Sequence, residues 1–432
     1  MDRFHWCYSL PLLLIFLSDK FLGLHMIIMA TSRTHPDDIS GLQHLKNGFD
    51  PVSIRAGSCL ISWNFSFDPC DHIFSDQFTC GFRCDLIVFG SYRVTEIALD
   101  QAGYSGSLSA AVFTLPYLQT LDLSYNSLSG SIPVSLSNLT LLHRLILSGN
   151  LFAGSIPFSL GSLSRLRELY LDDNRFTGSI PASFRRLASL ERLELQRNIL
   201  TGELPDLSQL RNLYYLDVSD NRISGGAPTT FPPSVIEISL RNNSLRGHLN
   251  FRLRLSELKL LQVLDLSHNQ LTGAIPSSLF HHPSLQQLTI SHNNFTSIES
   301  PPHGGGSTAS RLVAVDLSYN DLHGLLPPFM AAIPKLSSLS LEQNKLTGII
   351  PNPYAKKAAF PQPGTASFQR LLLGGNYLYG LIPGQFLALK PGSINMSLAD
   401  NCLYMCPNSF YFCRGGNQKS WQDCKRLYPT VF

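Results

Sequence analysis

Apolar and polar positions repeat along most of this chain in one short phrase. The phrase is an apolar residue, any residue, a second apolar residue, two more residues and an asparagine, as in residues 121–126. A degenerate first copy has Ala102 at the asparagine position, and later copies follow at intervals of 22 to 27 residues, with one interval of 32. The asparagines are Asn126, Asn150, Asn174, Asn198, Asn221, Asn243, Asn269, Asn293, Asn320, Asn344, Asn376 and Asn401.

Each phrase predicts a short strand with one apolar side. Leu121 and Leu123 point one way and Asp122 points the other, because side chains alternate across a strand. Such a unit cannot bury its apolar side alone, so successive units must stack. We therefore predict an α/β repeat solenoid, a curved right-handed superhelix of about 13 coils with parallel strands on its concave inner surface and disulfide caps.

The asparagine after each strand predicts a second, side-chain contribution to the stack. It stands where the backbone turns inward and leaves buried amide groups without strand partners. Its carboxamide supplies both a donor and an acceptor to them, which Ala102 cannot do.

Nine copies continue with Gly, any residue, an apolar residue and Pro, as in residues 130–133 and 273–276. Gly permits a tight turn and Pro holds an extended one. This tail resembles the plant class of leucine-rich repeats, found in receptor kinase ectodomains, receptor-like proteins and polygalacturonase-inhibiting proteins. The resemblance covers about residues 94–403. The pattern is lost at residues 247–250 and at Ser297, where we expect irregular structure.

The amino terminus predicts a secretory signal. Arg3 precedes an apolar run at residues 10–17, and Asp19 and Lys20 separate it from a second run. A spanning helix needs about 20 mostly apolar residues, so cleavage near Ala30 is favoured over an uncleaved anchor. We assign 1–30 to the signal, 31–93 to an N-terminal cysteine cap, 94–401 to the solenoid and 402–432 to a C-terminal cap and tail.

Cysteines flank the repeats and are missing from them. Cys7 lies in the signal, and the other eight fall in two sets of four that are suited to disulfide caps over the exposed ends of a solenoid. Each set allows three pairings, and no four-ligand zinc spacing is present. We therefore predict no metal and no cofactor. The cap cysteines are Cys59, Cys70, Cys80, Cys84, Cys402, Cys406, Cys413 and Cys424.

The N-terminal cap should contain a helix that begins at Pro36 and ends near Gly48. Its apolar residues recur on one face and should shield the first coil. Residues 62–71 together with 80–84 are similar to the amino-terminal cap of secreted plant receptor-like proteins, and Trp63 is predicted to lie in the core of that cap. The helix face consists of Ile39, Leu42, Leu45 and Phe49.

An outside location fits other features of the chain. After Cys424 only a short tail remains, so we expect no membrane span and no kinase domain, and membrane contact only through a partner or an uncleaved signal. The net charge of +3 is too small to indicate a nucleic-acid partner. Five Asn-X-Ser/Thr sites predict glycosylation of a secreted chain. They are Asn64, Asn138, Asn242, Asn294 and Asn395.

Catalysis is not expected. Residues 303–306, His-Gly-Gly-Gly, imitate the oxyanion loop of some esterases, but no Gly-X-Ser-X-Gly motif supplies a nucleophile.

The long interval after Asn344 is predicted to be a loop at the edge of the solenoid, where Lys356 and Lys357 would meet an acidic partner or pectin.

Binding is expected on the inner surface, where residues beside the strand leucines are free of packing roles. Charged and aromatic residues concentrate in repeats three to seven, whereas later repeats carry small polar ones such as Ser338 and Ser340. Arg and Tyr supply bidentate hydrogen bonds and rigid aromatic area. The alternative is that the charges only keep the face soluble. The predicted ligand-binding residues are Arg144, Arg167, Glu168, Tyr170, Asp172, Asp173, Arg192, Glu194, Gln196, Arg197, Tyr215, Asp220, Glu237 and Arg241.

Asp122, Asp217, Asp265 and Asp316 are excluded from this set because they share a repeat position with an expected structural or solubilising role. The sequence as a whole predicts a secreted protein that binds an extracellular peptide or protein ligand. The family resemblance implies signalling or defence beside a receptor kinase. The alternative is an inhibitor of a secreted microbial cell-wall hydrolase such as polygalacturonase.

Overall fold

Thirteen short parallel strands lie side by side in one sheet, as the repeat count predicts. The computed structural model describes residues 33–108, 114–249, 257–301 and 310–427. A fourteenth strand, Phe82–Arg83, pairs antiparallel with the first of the thirteen. We number the coils by their inner strands. Coils 1–13 contain Glu96–Ala98, Thr120–Asp122, Arg144–Ile146, Glu168–Tyr170, Arg192–Glu194, Tyr215–Asp217, Glu237–Ser239, Val263–Asp265, Gln287–Thr289, Ala314–Asp316, Ser338–Ser340, Arg370–Leu372 and Asn395–Ser397.

The strand leucines form one continuous core along the solenoid. Leu121 and Leu123 are fully buried, while Asp122 between them faces the inner surface. Leu121 pairs in register with Leu145 of the next coil, so each buried residue stacks on its equivalent. Complete burial of such a side chain contributes roughly 1.5–3 kcal/mol.

The asparagines form the side-chain ladder that the sequence predicts. The Asn150 Oδ1 accepts the Leu128 N–H of the preceding coil at 3.0 Å. Its Nδ2 donates to the carbonyls of Leu123, Leu147 and Ser148 at 3.0–3.2 Å. Equivalent bonds recur at every later ladder asparagine, including Asn198. The turn after each strand is therefore tied both to its own coil and to the previous one.

A second set of parallel strands follows the asparagines, which the repeat phrase did not predict. Gly130 has φ +83° at the end of one of these strands, a conformation that glycine adopts without strain. The strands form sheets of six, three and four. They are Ser105–Ser107, Ser127–Gly130, Leu151–Ser155, Arg175–Gly178, Ile199–Glu203 and Arg222–Ser224; Arg246–His248, Gln270–Ile275 and Asn294–Ile298; His323–Leu325, Lys345–Gly348, Tyr377–Gly380 and Cys402–Leu403.

The interruptions of this second ladder fall where the sequence loses its Gly and Pro. Between Arg222–Ser224 and Arg246–His248 only one isolated bridge, Gly226 to Arg246, connects the sheets. The strand Asn294–Ile298 pairs with Gln270–Ile275, and the register of this pair shifts between Gly273 and Ala274, opposite the step from Phe295 to Ser297. Local irregularity is thus confined to coils that depart from the repeat pattern.

Two disulfides close each end of the solenoid. The pairs are Cys59–Cys80 and Cys70–Cys84 before the repeats, and Cys402–Cys424 and Cys406–Cys413 after them. Trp63 lies in the core of the N-terminal cap, and its Nε1 donates to the Cys80 carbonyl at 2.9 Å.

The predicted cap helix is present as Pro36–Asn47, followed by Gly48. Leu42 and Leu45 of this helix are buried. The sequence did not reveal that Asp38 is fully buried. Its carboxylate lies 2.6 Å from the guanidinium of Arg93 and accepts the Val94 N–H at 2.7 Å, so a paired charge joins the helix to the first coil.

The insertion after Asn344 is a helix, Asn352–Ala359, and the prediction of a loop is wrong. Tyr354 fixes the helix because it is fully buried and donates to the Pro327 carbonyl at 2.8 Å. Lys357 is buried too, and its Nζ donates to the Ile333 carbonyl at 2.7 Å. Lys356 is exposed, so of these two lysines Lys356 alone is open to an acidic partner.

The remaining elements are short. Arg33–Thr34, Leu86–Val88 and Ser91–Arg93 form a small sheet in the N-terminal cap. Other α-helices are Cys59–Ser62, Pro328–Ala331 and Trp421–Leu427. The 3-10 helices in the described ranges are Pro51–Ser53, Val134–Asn138, Phe158–Ser162, Ala182–Arg186, Ser277–Leu279, Gly384–Ala388 and Tyr411–Cys413.

The predicted signal at 1–30 and the His-Gly-Gly-Gly stretch at 303–306 lie outside the described residues. Within 33–108, 114–249, 257–301 and 310–427, every helix is too short or too polar to cross a bilayer.

Replacing Asn198 by Leu is expected to destabilise the centre of the array. In the unaltered protein the Asn198 carboxamide bonds the Phe176 N–H and the Leu171 and Leu195 carbonyls at 2.9–3.1 Å, and the change leaves these three groups without this partner. Each group left unpaired costs about 1–3 kcal/mol. Thermal unfolding followed by circular dichroism should show a clear drop in Tm, while Ser338→Ala should be near neutral. Equal Tm values for the two variants would show that the ladder contributes little.

Loss of a cap disulfide is expected to lower the secreted yield. Cys59→Ser or Cys424→Ser opens one end of the solenoid, and removing a native disulfide costs about 2–5 kcal/mol in small secreted domains. Each variant should also expose one reactive partner thiol, Cys80 or Cys402. Thiol counting by mass spectrometry checks this, and four or more free cysteines in the native protein would contradict the pairing.

Candidate functional site

The inner surface consists of side chains that leave the parallel strands away from the core and of the residues that follow each strand. In coil 4 these are Glu168 and Tyr170 on the strand, then Asp172 and Asp173. Strand register places equivalent residues of successive coils in rows. The central row of coils 3–7 contains Arg144, Glu168, Arg192, Tyr215 and Glu237. Residues about 24 positions apart therefore become neighbours at about 4.8 Å between strands.

Three arginines of the predicted set form ion pairs with acids of an adjacent coil. The Arg144 Nε lies 2.9 Å from the Glu168 Oε2. The Arg167 Nη1 lies 3.8 Å from the Glu191 Oε1.

The third pair joins Arg197 to Asp173. Exposed pairs of this kind contribute only about 0–1 kcal/mol each, but they neutralise these arginines before any ligand arrives.

Arg192 occupies the middle of the predicted surface and makes aromatic contacts. Its Nε lies 2.5 Å from the Glu194 Oε1. Its guanidinium lies 3.7 Å from the ring centroid of Tyr215 and 5.9 Å from that of Tyr170. The Tyr170 hydroxyl in turn donates to the Glu168 Oε2 at 3.0 Å. The cation–π contacts of Arg192 thus join coils 4, 5 and 6 in one preformed patch, and the hydrogen bonds fix its side chains within coils 4 and 5.

Asp172, Glu194 and Gln196 are buried, which corrects the prediction that they lie exposed. Asp172 contacts Ser148 of the preceding coil, while Glu194 contacts Arg192 and Gln196 of its own coil. The Ser148 Oγ donates to the Asp172 Oδ1 at 2.5 Å, and burial raises the pKa of the Asp172 carboxyl. The Gln196 Nε2 donates to the Glu194 Oε2 at 2.8 Å, while the Gln196 Oε1 is buried without a hydrogen-bond partner among the described residues.

Two further carboxylates, on coils 6 and 7, form no ion pair within 4.0 Å in the described ranges. Asp217 accepts the Ser219 N–H at 2.9 Å, and Glu237 stands beside Tyr215 in the central row. Burial and nearby carboxylates raise the pKa values of both acids, and Glu194 contributes to each shift. Burial also raises the pKa of Tyr215 to about 12.

The repeat position of Asp217 has the structural role expected of it. The Asp122 Oδ1 accepts the Ser124 N–H at 3.0 Å, two residues further on. Asp265 and Asp316 make the same bond to the second residue after them. This turn uses the carboxylate locally in each of these four coils.

A row of residues in the left-handed conformation flanks the patch and was missed at the sequence level. Each stands directly before a ladder asparagine, a position that would have revealed it. Asp173, Arg197 and Asp220 of the predicted set belong to it. The row contains Tyr125, Gly149, Asp173, Arg197, Asp220, Asn242, His268, His292, Tyr319, Gln343, Gly375 and Asp400, all with φ between +50° and +69°.

Neighbours in this row contact each other in pairs. The Asn242 Nδ2 donates to the Asp220 Oδ1 at 2.7 Å. The His268 and His292 rings stack 4.1 Å apart, and His292 stacks on Tyr319 at 4.2 Å. Burial between neighbours and the adjacent His292 lower the pKa of His268. Coils 8–10 therefore carry an aromatic edge, although the sequence predicted small polar residues on the later repeats.

Later coils otherwise present small polar groups. Ser338 is half-buried, but Ser340 is only 1% exposed, so the expectation that it lies free on the surface is wrong. The remaining predicted residue, Arg241, is exposed and has no acidic partner within 4.0 Å in the part of the chain described here.

All five predicted glycosylation asparagines are exposed. Asn242 lies in the left-handed row at coil 7, so a glycan there would border the patch. Asn395 lies on the inner strand of coil 13, well away from it. Among the described residues, no group of three or more His, Cys, Asp or Glu side chains is arranged to hold a metal ion.

Family models agree with this architecture. The description "Leucine rich repeat" matches residues 93–152 and 255–295, and "Leucine Rich Repeat" matches 165–187 and 212–233. Receptor-like protein 32 of Arabidopsis thaliana is 41% identical over 139 residues, which cover 32% of this chain and 13% of that protein. The chain thus aligns with a small part of that relative's length.

Solved structures extend the similarity over more of the chain. The plant peptide hormone receptor RGFR1 in complex with RGF2 is 31% identical with a TM-score of 0.61, covering 69% of this chain and 46% of the receptor. A TDR receptor structure is 27% identical with a TM-score of 0.56, covering 69% and 54%. The chain therefore has the leucine-rich repeat fold, and its repeats resemble those of plant receptor-like proteins and receptor ectodomains.

Proposed function

We propose that this chain binds an extracellular peptide or protein ligand across the inner surface of coils 3–7, and that it does so in signalling or defence beside a receptor kinase. The observation that carries the proposal is the patch around Arg192, in which Tyr170 and Tyr215 flank one guanidinium. Arg and Tyr dominate binding hot spots because they offer large contact area and directed hydrogen bonds.

The patch is fixed before binding, which favours affinity. The Arg192 side chain is held by Glu194, and Tyr170 is held by Glu168. Side chains that are already ordered lose little rotamer freedom when a ligand arrives. Charges that only maintained solubility would not need to be held in fixed positions by such contacts.

The dimensions suit a short extended segment. Four strand intervals separate coil 3 from coil 7, which gives about 19 Å along the sheet. An extended peptide rises about 3.3 Å per residue, so roughly six residues would span the surface. The similarity to the plant peptide hormone receptor RGFR1, whose structure is in complex with RGF2, supports a peptide as ligand.

Four disulfides and five exposed glycosylation sequences support an extracellular location, because disulfides persist in oxidising compartments. The relatives above are receptor-type proteins. A binding function without catalysis agrees with them.

Tyr170→Ala combined with Arg192→Ala is expected to weaken binding by more than about 2 kcal/mol, because both side chains belong to the proposed hot spot. The partner is first recovered from apoplastic fluid with the unaltered protein, and its affinity for each variant is then measured by calorimetry. The variant should still fold, because neither side chain packs in the leucine core, although losing the Arg192 contacts with Glu194 and the tyrosines lowers the Tm.

The matched control is Ser338→Ala with Gln369→Ala, two surface positions on coils 11 and 12. If the control pair abolishes capture while the Tyr170 and Arg192 pair leaves it intact, the binding site lies elsewhere. Assaying fungal polygalacturonase with the same proteins tests the inhibitor alternative, which predicts loss of hydrolysis with the unaltered chain.

A further inference from the structure

We propose that the ligand presents a cationic side chain, a lysine or an arginine, to a carboxylate group formed by Glu194, Asp217 and Glu237 on coils 5–7. This inference rests on the proposed function and specifies the ligand chemistry of the same surface. The three residues are called the carboxylate triad below.

Strand register brings the triad together. Glu194 and Asp217 are direct partners on adjacent parallel strands. Glu237 is the direct partner of Tyr215, which shares a strand and a face with Asp217. Like charges opposite each other on adjacent strands repel. Three carboxylates therefore occupy an area only three strands wide.

The triad has a single nearby cation. Arg192 binds Glu194, while Arg144, Arg167 and Arg197 are engaged with acids outside the triad. Among the described residues, Asp217 is bonded to the Ser219 backbone and side chain. Glu237 forms no ion pair within 4.0 Å there, although the Arg192 charge lowers its pKa against the larger effect of burial. With three carboxylates and one guanidinium, the site carries an excess of two negative charges when all are ionised.

Raised pKa values of Asp217 and Glu237 agree with this excess. Burial is the largest cause, and repulsion from neighbouring carboxylates adds to it. A raised carboxyl pKa means that the ionised form is disfavoured in the free protein. A bound cation would offset the carboxylate repulsion in the free protein, and the complex would gain charge-assisted hydrogen bonds.

A buried polar atom at the same place also lacks a partner. Gln196 is 8% exposed, and its Nε2 donates to the Glu194 Oε2, so the carboxamide adjoins the triad. Its Oε1 has no hydrogen-bond partner among the described residues. A buried acceptor left unpaired is costly. If the Gln196 carboxamide turns toward the ligand, an ammonium or guanidinium N–H would satisfy this oxygen together with the carboxylates.

Aromatic surface beside the triad suits the rest of such a side chain. Tyr215 is half-buried, and Tyr214 is exposed next to it on coil 6. The methylene stem of lysine or arginine packs well on apolar surface while its charged end reaches polar groups. An acidic ligand group would meet repulsion at this position, so acidic oligosaccharides are excluded as occupants of the triad.

The test uses linear dodecapeptides selected by display on the full-length protein at neutral pH. We keep for further measurement only the peptides that fail to bind the Tyr170→Ala, Arg192→Ala double variant, because the binding of these peptides depends on coils 3–7. We expect these peptides to contain a lysine or arginine whose replacement by norleucine or citrulline lowers affinity at least tenfold. Glu237→Gln should lower affinity by a similar factor, and the two changes together should cost no more than either alone.

The matched control is Glu96→Gln, which occupies the equivalent strand position on coil 1 and should leave affinity unchanged. Glu237→Gln should leave the Tm unchanged or raise it, because it removes repulsion in the free protein, whereas a purely structural role predicts a lower Tm.

Two failures are distinguishable. If retained peptides bind equally well to Glu237→Gln, or lack a basic residue, the cation inference is wrong and the proposed surface stands. If no peptide is retained, or if selected peptides bind the Tyr170 and Arg192 variant normally, the proposed surface itself is wrong and the inference falls with it.

Discussion

The hydrogen bonds of the asparagine ladder are the constraint on which the rest of this molecule depends. Each carboxamide joins the turn of its own coil to the backbone of the preceding coil, for example through the Asn150 bonds to Leu128 and Leu123. The leucine core supplies the larger share of the stabilisation through buried area, but area alone does not specify register. The ladder specifies it, because a carboxamide displaced by one residue would meet its donors and acceptors out of place.

Register in turn determines the chemistry of the inner surface. Residues far apart in sequence become neighbours across strands, so arginines of one coil meet acids of the next, as Arg144 meets Glu168. A surface that looks strongly charged in the sequence is therefore largely paired in the fold. In coils 5–7 the pairing is incomplete: Glu237 shares the Arg192 charge with other acids, and the Gln196 Oε1 has no hydrogen-bond partner in the described chain. A ligand gains the most binding free energy where it pairs groups that are unpaired on a rigid surface.

The sequence was sufficient to predict the strands and the asparagine ladder, which recur at a fixed period. The two cap sets follow from where the cysteines stand, and the packing of Trp63 follows from its place in the N-terminal cap. Burial of Asp172 and Ser340 did not, because it depends on side chains of adjacent coils that lie some 24 residues away and vary between repeats. The second set of strands was missed because the Gly and Pro tail was interpreted as turns. The helix Asn352–Ala359 lies in an insertion without a repeat to compare it with, and only the burial of Tyr354 explains it.

Hydroxyl-radical footprinting of the protein with and without its captured partner tests the central claim, that coils 3–7 bind the ligand, most directly. Tyrosine is a sensitive target, and the chain places tyrosines both inside and outside the proposed surface. The account predicts that Tyr170, Tyr214 and Tyr215 lose reactivity in the complex while Tyr125 and Tyr319, on coils 2 and 10, keep theirs. Protection of Tyr319 with unchanged reactivity at Tyr170 and Tyr215 would contradict it.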